Sequence, residues 1–290
     1  MKIANIILFH KYPVAVERLV KVLNHPNFDF YLHLDKKVKL KPFAYLSDLA
    51  NTTLIKNRTS VRWAGYSQLA AFVNSLDEIL NNGKSYDFIN LLSGQDYPIK
   101  PVNEINKFLS LHIGKSFMMS ETPPSTWWDD ATLRFTKYHF WDYDFRGKHR
   151  LGDALSKIMP ARQFPLPLKL FGGPYASYRI LSIEAARYIH SILNRKDKFF
   201  LFFKHTWAPD EFLINTLLMN SPLKDTIINE NFHYMDRSLG GPRPKILTTE
   251  DFTLLKNSDK FFARKFDINV DMRILEMIDD EILFVNNTKP

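Results

Sequence analysis

The chain has no cysteine, which excludes disulfides and thiolate-held metals; any metal would need oxygen or imidazole ligands, and a reducing cytoplasm is permitted. Long hydrophobic runs are also missing, since no stretch reaches the roughly 18 apolar residues needed to cross a bilayer. The opening MKIANIILFHKYP has a basic residue and then an apolar run. That run covers only Ile3 to Phe9, is broken by Asn5 and has no small-residue cleavage site after it. It therefore predicts a buried strand rather than a signal peptide, and a soluble, cytoplasmic chain starting at residue 1 is expected. There is no G-x-G-x-x-G, no Walker A sequence and no G-x-S-x-G elbow, so dinucleotide, P-loop and serine-hydrolase chemistry are not indicated. Internal repeats and low-complexity segments are absent too.

What is present is a chain of 290 residues, 45% hydrophobic, long enough to bury its own core. Its 39 Lys and Arg outnumber 31 Asp and Glu, for a net charge of +8. Such a surface favours nucleic acid, phosphorylated ligands or an anionic membrane. No zinc-finger spacing or RNA-binding aromatic signature accompanies the charge, so nucleic acid is not expected as a partner.

Strand-length apolar runs alternate with helical periodicity through the first half. IANIILF (3–9) is followed by VAVERLVKVLN, with Val16, Leu19, Val20 and Leu23 at helical spacing, and then by FDFYLHLD, which alternates with a period of two. The series continues with the strand TTLIKN, the helix YSQLAAFVNSLDEILNNG ended by Gly83, the strand YDFINLLSG, the helix VNEINKFLSLH and the strand KSFMMSE. This order predicts a doubly wound α/β half, residues 1 to about 121, with a Rossmann-like, mostly parallel sheet flanked by helices. Such sheets bind ligands at the carboxyl ends of their strands, so His10, Asp35, Asp96 and Glu121 become candidate site residues. Regularity fades over 122–175, which is rich in proline and aromatics and suits a substrate-binding excursion better than a linker. SIEAARYIHSILNR and PDEFLINTLLMN then predict two further helices. One continuous domain, 1–290, is expected, with an acceptor half from about 122 onward. The pairs Gly172-Gly173-Pro174 and Gly240-Gly241-Pro242 read as turns.

One Asp-x-Asp occurs, Asp142 and Asp144 in WDYDF. Such a pair can hold a metal that bridges a diphosphate, but it should end a buried strand, and this one lies in the aromatic excursion. Basic clusters near the end, Arg243, Lys245, Arg264 and Lys265, could stabilise a departing diphosphate in place of a metal.

Four stretches, YLHLDKK (31–37), VRWAGYSQLAA (61–71), FINLLSGQDYPIK (88–100) and WAPDEFLINTLL (207–218), followed by PRPKILTTEDF and FFARKFD, resemble the Core-2/I-branching glycosyltransferases in order. This is glycosyltransferase family 14, which includes β-1,6-N-acetylglucosaminyltransferases and peptide xylosyltransferases. The resemblance implies a variant GT-A fold and an inverting, metal-independent transfer from a UDP-sugar, of N-acetylglucosamine or xylose, to a glycan or lipid-linked oligosaccharide acceptor in polysaccharide biosynthesis. It places the general base at Glu211 and phosphate-binding cations at Lys265 and at either Arg243 or Lys245. Asp35, Asp96 and the turn around Trp63, Gly65 and Ser67 would line the nucleotide-sugar side, with His10. Glu121, Arg134 and Asp236 resemble acceptor or sugar contacts. No cofactor is expected besides the donor. The chain departs from the family pattern at Ala176 and Tyr178, where a Gly-Ser pair is usual, and at Arg237, where a tryptophan is usual. Eukaryotic members carry a membrane anchor and disulfides, so a bacterial member is expected, peripheral at the inner face of the membrane where its basic surface meets anionic lipid. A metal-dependent transferase using Asp142 and Asp144 is the alternative mechanism, and a non-catalytic glycan or nucleotide-sugar binder is the alternative class.

At residues 209–211 two roles coexist. Pro209 and the acids after it suit the first turn of a helix. On this basis Asp210 is expected to cap, and Glu211 to be held ionised by the helix end and to act as base.

Overall fold

The computed structural model describes residues 1–194, 198–241 and 243–284. Arg195 of the expected helix SIEAARYIHSILNR, Pro242 of the second glycine pair and the last six residues of the expected domain lie outside them. Among the described residues ten strands form two sheets: β1 (Ile3–Phe9), β2 (Phe28–Leu34), β3 (Thr52–Leu54), β4 (Phe88–Ser93), β5 (Asp96–Pro98), β6 (Ser116–Met118), β7 (Arg179–Ser182), β8 (Ile227–Ile228), β9 (His233–Met235) and β10 (Phe262–Arg264). The main sheet runs in the order β3-β2-β1-β4-β7-β6-β8, and β5-β10-β9 form the second. β7 alone runs antiparallel to its neighbours in the main sheet. It enters from the second half of the chain and sits between β4 and β6, so the two expected halves share one sheet.

The period-two alternation of β1 assigns the two faces. Ile3, Ile7 and Phe9 join one core with helix α1 (Pro13–Val22), α3 (Val102–Ser110) and the second sheet, whereas Ala4 and Ile6 join the other with α2 (Tyr66–Leu80) and the helix Ile183–Leu193. Both faces are covered, which is why β1, β2 and β4 read as nearly continuous apolar runs. Asn5 is the buried polar residue of β1; its amide donates to the Asp29 carbonyl, and its oxygen accepts from Asn90. Residues just past the carboxyl ends of β1 and β2 therefore emerge on one edge of the sheet.

Several expectations are corrected. β4 ends at Ser93, and Asp96 opens β5 in the second sheet instead of closing the buried strand. The stretch 122–175 contains the helices Thr126–Ala131, Leu133–Thr136 and Lys148–Ile158, and Lys198–Lys204 adds another. PDEFLINTLLMN is not one helix. Pro209–Glu211 form a 3-10 turn, Phe212 departs to φ −146°, and the α-helix runs over Leu213–Met219.

Candidate active site

A cleft of about 810 Å³ opens at the carboxyl ends of β1, β2 and β4, where open α/β sheets bind ligands. Glu211 lines it, presented by the 3-10 turn rather than by a helix end. Three backbone contacts fix that turn: Ala208 N–H donates to the Ala64 carbonyl (2.7 Å), Trp207 N–H to Arg134 (2.9 Å), and Gly173 N–H to Glu211 (3.1 Å). Gly172 pairs with Glu121 in an isolated antiparallel bridge. A Cβ at Gly172 would stand 2.6 Å from Phe212 Cβ and 2.7 Å from the Glu211 carbonyl. The first glycine pair is thus a close-packed support under Glu211 and more than a turn.

The Glu211 carboxylate pairs with Arg134, whose guanidinium lies 4.9 Å from the Trp127 ring centroid and 4.8 Å from that of Trp207. Two indole faces therefore hold the arginine in place while its charge meets the acid. Glu211 remains 21% exposed at the side chain, so a ligand can reach it. Its pKa is raised above the ordinary value by burial, opposed by Arg134 and reinforced by Asp210. This reverses the expectation that a helix end would depress it, because desolvation exceeds any dipole contribution at a 3-10 turn.

Asp210 does not cap. Its carboxylate accepts from Gln68 Nε2 (3.1 Å) and Ser177 Oγ (2.8 Å). Burial raises its pKa, against Ser177 and the neighbouring Arg179. Arg179, fully buried on β7, donates to the carbonyls of Ala176 (2.6 Å) and Asp210 (2.8 Å). Sequence reading missed it; its signal was a lone arginine in the apolar strand RILS.

Cations gather on the same cleft. Arg243, Arg264, Lys265 and Lys11 line it, and the Lys265 pKa is lowered by burial and then by Arg243 and Arg264. Like charges held together without a full set of counter-ions make an anion-binding surface. Arg243 and Lys245 differ in placement: Lys245 is outside the cleft, with Nζ 2.7 Å from Asp251 Oδ1, whereas Arg243 lines the cleft, 5.2 Å from the Trp63 ring centroid. Asp96 is also outside. It accepts from Ser93 and pairs with Arg264 (3.1 Å), so it positions a cation.

At the strand ends, His10, Asp35 and Trp63 line the cleft. Burial and Lys11 lower the His10 pKa. Asp35 Oδ1 accepts from Lys37 N–H (2.9 Å). His33, which sequence reading passed over inside YLHLDKK, also lines it. Thr59 N–H donates to His33 Nε2 (2.9 Å), so the neutral ring carries its proton on Nδ1, and Nδ1 has no partner among the described residues. Burial pushes its pKa down to about 4, so at neutral pH it offers one bare N–H.

Other expected site residues fall outside the cleft. Ser67 N–H and Oγ both donate to Asp142, and a Cβ on Gly65 would strike the same carboxylate. Asp142 thus serves as an anion at the start of α2, supplied from 75 residues away. Asp144 pairs with Arg62 (2.7 Å). Both members of the Asp-x-Asp hold the 62–67 turn, and among the described residues no three His, Asp or Glu side chains are grouped to bind a metal. Glu121 lies behind Gly173, and Asp236 accepts from Ser238 N–H (2.7 Å). Arg237 does line the cleft, donating to the Pro174 carbonyl (2.7 Å).

The model of the Core-2/I-Branching enzyme family matches residues 3–256. The chain belongs to that family. Xylosyltransferase 2 of Rattus norvegicus is 27% identical over 305 residues, covering 96% of this chain and 33% of the relative. Xylosyltransferase oxt of Drosophila melanogaster is 24% identical, covering 91% and 31%. The chain thus spans about a third of the length of these relatives. Among solved structures, mouse xyloside xylosyltransferase 1 is 10% identical with a TM-score of 0.40, covering 90% of this chain and 96% of that one. The bifunctional glycosyltransferase WbbM is 10% identical at 0.41, covering 91% and 45%. The sheet order described above, not likenesses of that size, defines the fold of this family member.

Proposed function

We propose that this family member is an inverting glycosyltransferase that moves a sugar from a UDP-sugar to a glycan hydroxyl, with Glu211 as general base and without a metal. Relatives named xylosyltransferases make UDP-xylose the first donor to test, and UDP-N-acetylglucosamine the second. The observation that carries the proposal is the shared cleft: an accessible carboxylate of raised pKa and a separate group of cations line one cavity.

The acceptor hydroxyl attacks the anomeric carbon as the bond to the UDP oxygen breaks, and its proton passes to Glu211. Arg243 and Lys265 balance the charge that develops on the departing diphosphate. A base of raised pKa is a stronger proton acceptor, and Arg134, clamped by two indoles, orients it and favours its ionised form. The bare His33 Nδ1–H and the Asp35 carboxylate suit the carbonyl and hydroxyl groups of the nucleoside. A glycan or lipid-linked oligosaccharide is the acceptor class, at a membrane surface facing the cytoplasm.

A donor screen with simple glycoside acceptors in excess chelator tests the reading. Transfer from one UDP-sugar should persist in chelator and fall roughly 10²–10⁴-fold in Glu211→Gln. Undiminished transfer by that variant removes Glu211 as base. Activity lost to chelator and restored by manganese removes metal independence.

A further inference from the structure

The helix Lys148–Ile158 is turned the wrong way round for a soluble surface. Its inner side is made by Gly152 and Ser156, one turn apart. A Cβ on Gly152 would lie 2.5 Å from the Tyr138 carbonyl, and Ser156 Oγ accepts from Tyr138 N–H (2.9 Å). Small residues thus seat the helix against backbone, and the apolar residues are left outside. Leu151 and Ile158, seven apart and on one face, are 43% and 77% exposed, with Ala154 exposed between them. Met159 (46%) and Phe145 (43%) extend the patch at either end.

Cations border this face. Arg150 and Lys157 lie beside the apolar stripe at helical spacing, Arg146 precedes it, and all three are exposed. Among the described residues the side chains of these three have no hydrogen bond or ion pair, unlike Lys21, which pairs with Glu17, and Lys256, which pairs with Glu281. Between 145 and 162 five Lys and Arg face Asp153 as the only acid. The start of the helix reaches the cleft wall through two ring contacts. Lys148 Nζ stands 5.8 Å from the Trp141 ring centroid, and Trp141 stacks at 5.9 Å on Trp207, which lines the cleft.

We infer that the outward face of Lys148–Ile158 is a docking surface for an anionic lipid bilayer, with Leu151, Ile158 and Met159 entering the headgroup boundary and Arg146, Arg150 and Lys157 meeting lipid phosphates. A helix with one apolar flank and unpaired cations along the next is matched to such an interface, where both terms add. The purpose of the surface, holding the cleft beside a membrane-borne acceptor, rests on the function proposed above; the binding itself does not.

Flotation of the full chain with vesicles, in the absence of any sugar nucleotide, tests it. Binding is expected to vesicles of phosphatidylglycerol and phosphatidylcholine and not to phosphatidylcholine alone. Arg150→Glu with Lys157→Glu should weaken it by at least about tenfold, and Leu151→Ser with Ile158→Ser by a similar factor. Unchanged melting temperature and UDP affinity in both variants show that they are folded. Equal binding to neutral vesicles, or no loss in the charge-reversal variant, overturns the assignment. So does self-association that the serine variant abolishes while lipid binding is absent, which would make the face a contact between copies of the chain. Vesicle binding by the unaltered chain that both variants weaken, together with no transfer from any UDP-sugar screened, would overturn only the glycosyltransferase reading.

Discussion

The sheet and the wall of the cleft are held by different kinds of force. In β1, β2, β4 and the helices over them, fully buried aliphatic and phenyl side chains meet on two faces, and stability is spread over many interchangeable contacts. Between residues 137 and 162, beyond the buried Trp128 and Phe135, the chain is fixed by individual bonds. Arg162 donates to the carbonyls of Lys137 (2.9 Å), His205 (2.5 Å) and Phe202, with its guanidinium 4.0 Å from the Phe202 ring centroid. Asp142 holds the start of α2, and Trp141 stacks on Trp207 and meets Trp63 edge-on. The sheet tolerates exchange of one apolar residue for another. The wall depends on each polar partner being present.

Substitutions can sharpen this contrast. Leu32, fully buried in β2, should on replacement by alanine lose about 2–5 kcal/mol, read from chemical denaturation, while UDP affinity stays near that of the wild type. Arg162→Met should cost about 1–3 kcal/mol, because three carbonyls lose a donor, and should also weaken UDP-sugar turnover by loosening the wall; a variant that loses stability with turnover intact would put Arg162 on the side of the sheet. Asp142→Asn should cost about 0.5–1 kcal/mol through the start of α2, while Asp144→Asn, at an exposed pair, should change neither melting temperature nor turnover. If the two variants behave alike and manganese rescues both, the Asp-x-Asp is a metal site after all.

The pH dependence separates the two carboxylates. Glu211 must be ionised to accept a proton, so turnover should rise with pH along an acidic limb lying above the ordinary glutamate range, in keeping with its raised pKa. Arg134 favours the ionised form, so Arg134→Met should move the limb to higher pH; Asp210 disfavours it, so Asp210→Asn should move the limb lower. For folding stability the sign is opposite to the usual acid case. A carboxyl raised in the folded state binds its proton more tightly there than in the unfolded chain, so its contribution is present at low pH and is lost as pH climbs through the raised value.

Much of the sheet is legible in the sequence because strand burial writes itself as local periodicity. IANIILF and FDFYLHLD fall on β1 and β2 within a residue or so. The break at Phe212 was hidden because apolar spacing on either side of it fits a helix, and only tertiary contacts from Gly172, Gly173 and Ala64 bend the chain there. Asp142 was read with its neighbour Asp144, yet its partner lies 75 residues away, beyond any local pattern. His33 and Arg179 carried a signal that could have been weighed, a polar side chain in the middle of an apolar strand, which burial makes costly unless something answers it. Trp127 and Trp207 gave none, since an arginine sandwiched by two indoles is formed only by the fold.

The central claim is that Glu211 takes the proton from the acceptor. Single-turnover transfer by Glu211→Gln, at saturating UDP-sugar and in excess chelator, tests it most directly. Expected are UDP binding equal to wild type, a transfer rate reduced at least about a hundredfold and loss of the acidic limb; a transfer rate within a few-fold of wild type, with the limb still present, removes Glu211 as the base.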